Sequence, residues 1–544
     1  MSLNNQLKTM QEGSIKGVCK IQIMDEEGNL KREVVEENYV NPLFYNWYNT
    51  LIKTSLKRQT YYSPTTNQID FMDSSRGMVN TETLNTTPYY GIQLKYTDLA
   101  EHADDYEPRG ELIGFSSMNI AGTNTNSTLG SFNPTESVFT EGFTRLVFEF
   151  LSDSAIGKFN SIYSGLFYAG RHENYPDTFD LHLYGDLPTD LGYSSIFTPS
   201  GSGGRFADTD SFGLGSAYSQ ESGYVYLTQY AYDESSRKAE NASRSLLYRC
   251  PLNNIKEAIF NEEAVTSSTD ENRQPYGSFQ NITYALQGTG TIDSPQYELR
   301  SVEPIGGRLW FVNTKITSVL VFMSMNEATL DDIKEEFRLS RETLEGIVGD
   351  TLHSDLSRYD AGIGYNPSNG SIILSEAYYG HVLEFDITSK ELVRSLSYDL
   401  DEIRGLTGLS YWNTASRLNR TNIQFNNGTY TVGNVTMEEY GDNQLRPVSF
   451  NYFYNEELFS GDEPDDLFIY AEAYFKLKLD DTLSFVTYLS DVSHNLSIDD
   501  DRRPKFALSS ATNFFSRDAL STPVEKTAGE TMKITYEFTV GDQA

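Results

Sequence analysis

The chain has 544 residues and a formal net charge of −35, which repels nucleic-acid phosphates and anionic lipid. No two of its six histidines stand three to five residues apart, and its two cysteines, Cys19 and Cys250, are far from each other, so zinc-type spacing and a disulfide framework are both excluded. Tyr (37) and Phe (31), set among abundant Ser, Thr, Asn and Gly, favour strands joined by polar turns, in several domains of roughly 100–200 residues each.

The start, Met-Ser-Leu-Asn-Asn, lacks the basic and apolar regions of a signal peptide. The longest near-apolar run, Ile316 to Met325, falls short of the roughly 20 residues a membrane helix needs. A soluble protein made in the cytoplasm, without membrane insertion, is the expectation. Val18 to Met24 alternates as a half-buried strand, Asp25 to Asn29 supplies a Gly-containing turn, and Leu30 to Val35 resumes, which predicts a hairpin. Asn41-Pro42 then places a capping side chain before a first-turn proline. Leu43, Phe44, Trp47, Leu51 and Ile52 share one face of the helix this predicts. Residues 54–87 read as a polar loop, Tyr89 to Tyr96 as a strand, and 97–132 as long surface connections too polar to bury much. A strand ending Phe148-Glu149-Phe150 leads into Ala155-Ile156-Gly157-Lys158-Phe159-Asn160-Ser161-Ile162.

From about Gly165 to Val435 short strands recur in pairs: Gly223–Thr228 with Ser245–Cys250, Gly307–Val312 with Ser318–Phe322, and Gly370–Ser375 with Gly380–Asp386. Each pair reads as the inner and middle strands of a propeller blade. No Trp-Asp or Gly-His signature recurs, so the array is irregular: four to six blades, with a large β-sandwich as the alternative. Leu330, Ile333, Phe337, Leu344 and Ile347 predict a single or broken helix over 330–348 outside the blades. Strands resume at 467–470, 474–479 and 483–489, and the chain closes with Met532 to Val540, a strand that needs a partner earlier in the chain. The fold is therefore expected to be mainly β. A terminal β-sandwich-like domain, built from both chain ends (1–164 and 441–544), would surround an inserted β-propeller-like or large β-sandwich domain at 165–440.

No cofactor is expected. The acidic runs Asp462 to Asp466 and Asp499 to Asp501 could hold Ca²⁺ but lack EF-hand spacing, and charge runs are usually solvated faces. No Gly-x-Ser-x-Gly elbow stands between a strand and a helix; the serines of Ser200 to Gly204 lie in a glycine-rich loop. Carboxylates are numerous enough for a paired-acid glycan hydrolase. Aromatic faces beside amides and carboxylates suit sugars, which makes Tyr378, Tyr379, Tyr411 and Trp412 candidate glycan contacts.

Three blocks carry a resemblance. They are the hairpin Ile21–Val35 running through Asn38-Tyr39-Val40, the Ala155–Ile162 turn after an aromatic-x-Phe strand end, and Lys526-Thr527 before Ile534-Thr535-Tyr536-Glu537-Phe538. In this order they resemble tailed-bacteriophage tail, fibre and baseplate structural proteins. The resemblance implies a virion component assembled in the host cytoplasm as a homo-oligomer. Its partners would be other tail proteins and a host cell-surface glycan; a virion-borne glycan hydrolase is the alternative.

Overall fold

The computed structural model of the chain describes residues 15–40, 60–71, 89–178 and 213–540, apart from internal stretches of which 255–279 is the longest. Alternation governs the terminal domain. In the opening strand Ile15–Met24, Cys19, Ile21 and Ile23 are buried on one face, while Lys20 and Gln22 take the other. The closing strand Thr531–Val540 buries Met532, Ile534, Tyr536 and Phe538 at the same period and lies antiparallel beside it, Ile15 opposite Val540 and Met24 opposite Thr531. On its other edge the closing strand pairs with Phe143–Phe150, so Ile21, Ile534 and Phe148 form one rung, and Ile23, Met532 and Phe150 the next. Fully burying such a side chain stabilises by about 1.5–3 kcal/mol. The two chain ends share one domain, as the sequence predicts.

A second layer orders Glu111–Ser117, Tyr89–Tyr96, Gly157–Tyr168 and Ser516–Lys526. Its Ile92, Leu94, Phe159, Ile162 and Val524 join the residues of the first layer in one core. The layers merge where Tyr39 and Val40, at the end of strand Leu30–Val40, pair with Arg517 and Ser516.

Between these ends lie five four-stranded antiparallel runs. The first spans Gly213–Tyr218 to Gln280–Asn281, the second Glu303–Ile305 to Lys334–Ser340, and the third Ile363–Asn366 to Leu392–Tyr398. The fourth spans Ile423–Asn426 to Gln444–Phe450 and the fifth Tyr452–Tyr454 to Pro504–Ser510. The leading strands of the first four touch in sequence, and Ala471–Lys478 of the fifth lies against Gly213–Tyr218 of the first. The backbone N–H of Lys478 also donates to Gln424 of the fourth at 3.1 Å. The runs thus follow one another as blades of a propeller-like ring. The third and fourth are joined directly by parallel bridges, Gly364 to Ile423 and Tyr398 to Leu445, into a closed barrel.

The centre of the ring is stitched by polar groups. Thr228 Oγ1 and Ser245 Oγ of the first blade donate to the carbonyls of Arg300 and Leu299 at 2.5 and 2.7 Å. Asn422, just before the fourth blade, donates its amide to the Val302 carbonyl and lies 3.4 Å from the Glu303 carboxylate. Among the described residues no helix is long and apolar enough to cross a membrane.

Several expectations change. Residues 330–348 are not one helix: Lys334–Ser340 is the fourth strand of the second blade, and only Arg341–Val348 is helical. The apolar spacing that suggests a helix arises because Phe337 stacks on Phe322 at 4.2 Å across the strand pair, while Leu344 belongs to the helix. Ser340 then caps it, its hydroxyl accepting from the Thr343 N–H at 3.1 Å, and Gly349 at φ 79° ends it. The stretch 97–132 is not all surface connection, since Glu111–Ser117 is a sheet strand and Asp105 and Arg109 are buried. Within 54–87, Thr60–Ser63 and Gln68–Phe71 pair as a small hairpin. The C-terminal contribution to the terminal sheet is narrower than 441–544: Tyr452–Tyr454, Ala471–Lys478, Leu483–Ser490 and Pro504–Ser510 form a separate sheet, and among the described residues only Ser516–Lys526 and Thr531–Val540 join the large one. The helix expected after Asn41-Pro42 lies outside the described residues.

Two measurements probe the ring. A Cβ at Gly364 would sit 2.0 Å from the Ile423 carbonyl oxygen, whereas one at Gly346 in the helix meets nothing. Gly364→Ala should therefore cost about 1–3 kcal/mol in urea unfolding, while Gly346→Ala should be neutral or slightly stabilising. Burial pushes the Glu303 carboxyl up to about 8, with the Asn422 amide opposing. The folded chain then holds a proton that the unfolded chain, with a carboxyl near ~4.3, has lost. Stability should fall as pH rises from the unfolded value toward 8 and level off above it. Glu303→Gln should flatten that slope in unfolding curves taken across the range.

Candidate binding site at the domain junction

Two tight turns build one wall of a pocket. Asn366-Pro367-Ser368-Asn369-Gly370 joins the first two strands of the third blade. There the Asn366 side chain accepts from the Ser368 N–H at 3.0 Å, and Gly370 takes φ 73°. Asn427-Gly428 makes the equivalent turn in the fourth blade, with φ values of 49° and 86°, the primed geometry that suits a two-residue hairpin. Both turns point toward the terminal domain, whose His102 forms the opposite rim. Ser368, Asn369, Arg394, Phe425, Asn427, Gly428 and Glu439 complete a cavity of about 510 Å³.

Behind this wall lies a saturated polar cluster. Glu384, fully buried, accepts from Arg394 Nε and Nη2 at 3.0 and 3.1 Å, Asn366 Nδ2 at 3.1 Å, Asn369 Nδ2 at 2.7 Å and Tyr430 Oη at 2.6 Å. Burial alone would raise its pKa, but these donors, Arg394 first, outweigh it and hold the carboxyl below its ordinary value. Arg394 also reaches Glu439, with Nη1 at 3.0 Å from one oxygen and Nη2 at 2.9 Å from the other. Burial followed by the two carboxylates raises the Tyr430 phenol, which stays protonated; its one proton goes to Glu384, and Glu439 lies 3.1 Å away.

Beneath the pocket the two domains are joined by buried charges. Asp105 Oδ2 accepts from the His102 N–H at 2.7 Å, and Oδ1 accepts from Asn427 Nδ2 at 3.1 Å, so a single carboxylate holds both rims. Arg109 donates from Nη1 to Ala100 O and from Nη2 to Asn427 O, each at 2.8 Å. Arg517, fully buried, pairs with Glu101 at 3.1 Å and donates to His102 O at 2.9 Å. From the inserted domain Glu438 accepts from the Gly110 N–H at 3.0 Å and from Arg446 at 2.7 Å, and the Val448 carbonyl accepts from Lys95 at 2.7 Å.

Of the residues singled out from sequence, Tyr379 lies away from this pocket. Tyr379 is half-buried, with its hydroxyl donating to Thr351 O at 2.6 Å and its ring packed on the core shared by the second and third blades. Tyr378, Tyr411 and Trp412 lie outside the described residues, as do the acidic runs 462–466 and 499–501 and the loop 200–204. Among the described residues no group of three or more His, Cys, Asp or Glu side chains is placed to hold a metal ion. Paired carboxylates do occur, as Glu384 and Glu439. The signal for Glu384 was its isolation inside the apolar strand Val382-Leu383-Glu384-Phe385, since a charge in that position must find a partner.

No family model matches the sequence, and no curated protein matches it. Among solved structures, an acylaminoacyl peptidase from Pyrococcus horikoshii is 10% identical with a TM-score of 0.21, covering 51% of this chain and 35% of its own. A gluconolactonase from Xanthomonas campestris is 7% identical with a TM-score of 0.24, covering 56% of this chain and 88% of its own. An alpha-L-arabinanase from Penicillium chrysogenum, complexed with arabinobiose, is 10% identical with a TM-score of 0.24, covering 70% of this chain and 95% of its own. Scores of this size mark distant likeness, and the chemistry of the pocket rests on its own residues.

Arg394→Met would leave the buried Glu384 without its counter-charge, and a loss of about 3–5 kcal/mol is expected in chemical unfolding. Adding Glu384→Gln to the same chain should recover most of it.

Proposed function

We propose that this chain is a structural component of a tailed-phage tail or adsorption apparatus and contributes to attachment at the host surface. In this reading the terminal sandwich anchors the chain among other tail proteins in a homo-oligomeric ring, and the inserted blades face outward. The supporting observation is the ten-residue pairing of Ile15–Met24 with Thr531–Val540. It closes one domain from both chain ends, with the runs of strands from Gly213–Tyr218 to Pro504–Ser510 inserted between them. The order of the three resembling blocks agrees, since all three fall in that terminal sheet. An acidic surface with repeated copies suits adsorption, because closed symmetry lets a weak site act many times.

The alternative is a particle-borne glycan hydrolase. It needs one carboxyl held protonated and a second carboxylate free to act on sugar or water. Glu384 meets neither requirement, being ionised below its ordinary range and saturated by five donor contacts. The Glu384–Glu439 pair is better suited to shaping a pocket than to cleaving a glycosidic bond.

Purified virions should contain the chain in a fixed three-, six- or twelvefold copy number by quantitative mass spectrometry. Antibodies against the full chain should block adsorption. Virions that lack the chain would remove the reading, and release of reducing sugar from host polysaccharide by the purified protein would favour the hydrolase.

A further inference from the structure

We propose that the junction pocket is a clamp for one neutral saccharide unit, gripped between His102 of the terminal domain and the paired turns of the inserted domain. The pocket's own geometry carries this site, independently of where the chain is assembled. A cavity of about 510 Å³ lies within the span that small-ligand sites occupy. Phe425, half-buried and edge-on to Tyr430 at 5.1 Å, offers an aromatic surface for sugar C–H groups. Glu439 has about four lone-pair sites and receives donors from Arg394 alone, which leaves capacity for a ligand hydroxyl. Across the gap the His102 imidazole is exposed at the rim.

Electrostatics selects the class. The Arg394 guanidinium lies against two carboxylates, so its charge is already spent on Glu384 and Glu439, and an acidic sugar would find no counter-ion. The net charge of −35 repels it further. Uncharged hydroxyls, which donate to Glu439 and accept from neighbouring polar groups, fit what remains.

The clamp follows from Asp105. Its two oxygens hold the His102 backbone and the Asn427 side chain, one on each side of the pocket. A ligand that touches both rims therefore reinforces the contact that already joins the domains, and its binding energy appears as a tighter junction. Asp105 acts as a positioning residue and need not touch the ligand.

The test titrates the full-length chain with lactose, maltose, cellobiose, glucuronate and glucosamine, following ligand signals by saturation-transfer NMR and backbone exchange over residues 97–102. Saturable binding of at least one neutral disaccharide is expected, with slower exchange in that segment. His102→Ala, at an exposed site, should weaken binding about tenfold, a change of ~1.4 kcal/mol, without moving the unfolding midpoint, and Phe425→Leu, which also gives up the edge contact with Tyr430, should weaken binding as much while lowering the midpoint slightly. Asp105→Asn should still bind sugar but lose the exchange protection. The proposal is overturned if no neutral sugar in the panel binds, if glucuronate or glucosamine binds as well, if both pocket variants bind like the parent, or if binding leaves exchange at 97–102 unchanged. Defined sugars and purified chain keep this result separate from whether virions carry the protein.

Discussion

The register between the first and last strands is the constraint on which the other contacts depend. A slip of one residue would turn Met532, Ile534, Tyr536 and Phe538 outward and place Thr531, Lys533 and Thr535 in the core. The register is held from both sides at once, because the closing strand lies between Ile15–Met24 and Phe143–Phe150 with matching inward sets. Only in that register does Ser516–Lys526, the strand before it, reach Gly157–Tyr168 and place Arg517 beneath the pocket.

Arg517 links the terminal sheet to the pocket, standing on strand Ser516–Lys526 and donating to His102 O. It and Arg109 are among the largest fully buried side chains: Arg109 donates to Ala100 O and Asn427 O, while Arg517 also pairs with Glu101 and lies over the Tyr163 ring at 5.6 Å. Burying such charges brings little net stability even when they are well paired, because desolvation offsets attraction. What they add here is direction. Guanidinium groups fix the angle at which Asn427 and His102 meet, whereas an apolar contact of the same size would tolerate sliding. The pocket inherits its shape from that fixed angle.

Much of the architecture was legible in the sequence. The period-two pattern at 18–24 and 532–540, together with the Asp25–Asn29 turn, marked the terminal hairpin and its partner, because one-sided burial writes itself into alternation. The paired strands at 223–250, 307–322 and 370–386 appeared at those positions, but as the second and third strands of each blade rather than the inner and middle ones, because a leading strand precedes each pair. The helix at 330–348 misled, since Phe337 and Leu344 fit a helical period while belonging to a strand and a helix in succession. The site was less legible. Asp105 and Arg109 sat in a stretch whose polarity suggested solvent, and their burial depends on Glu438 and Asn427, more than 300 positions away. No local pattern encodes a partner at that separation. Aromatic pairs such as Tyr378-Tyr379 drew attention by composition, whereas the pocket relies on a single Phe425 and on turns that composition treats as ordinary.

The pairing of first strand with last also sets a timetable for synthesis. Ile15–Met24 leaves the ribosome about 500 residues before Thr531–Val540 can meet it, a wait of roughly 25–100 seconds at ~5–20 residues per second. For that interval the hairpin has a free edge facing where the closing strand will lie, while the blades between can already fold on local contacts. The outer face of the hairpin is suited to the delay: Lys20 and Glu33 form an ion pair 2.9 Å apart, and the Gln22 amide donates to the same carboxylate. Charges so placed discourage a neighbouring nascent chain from occupying the vacant edge, and like copies on one polysome can remain apart until each receives its own final strand.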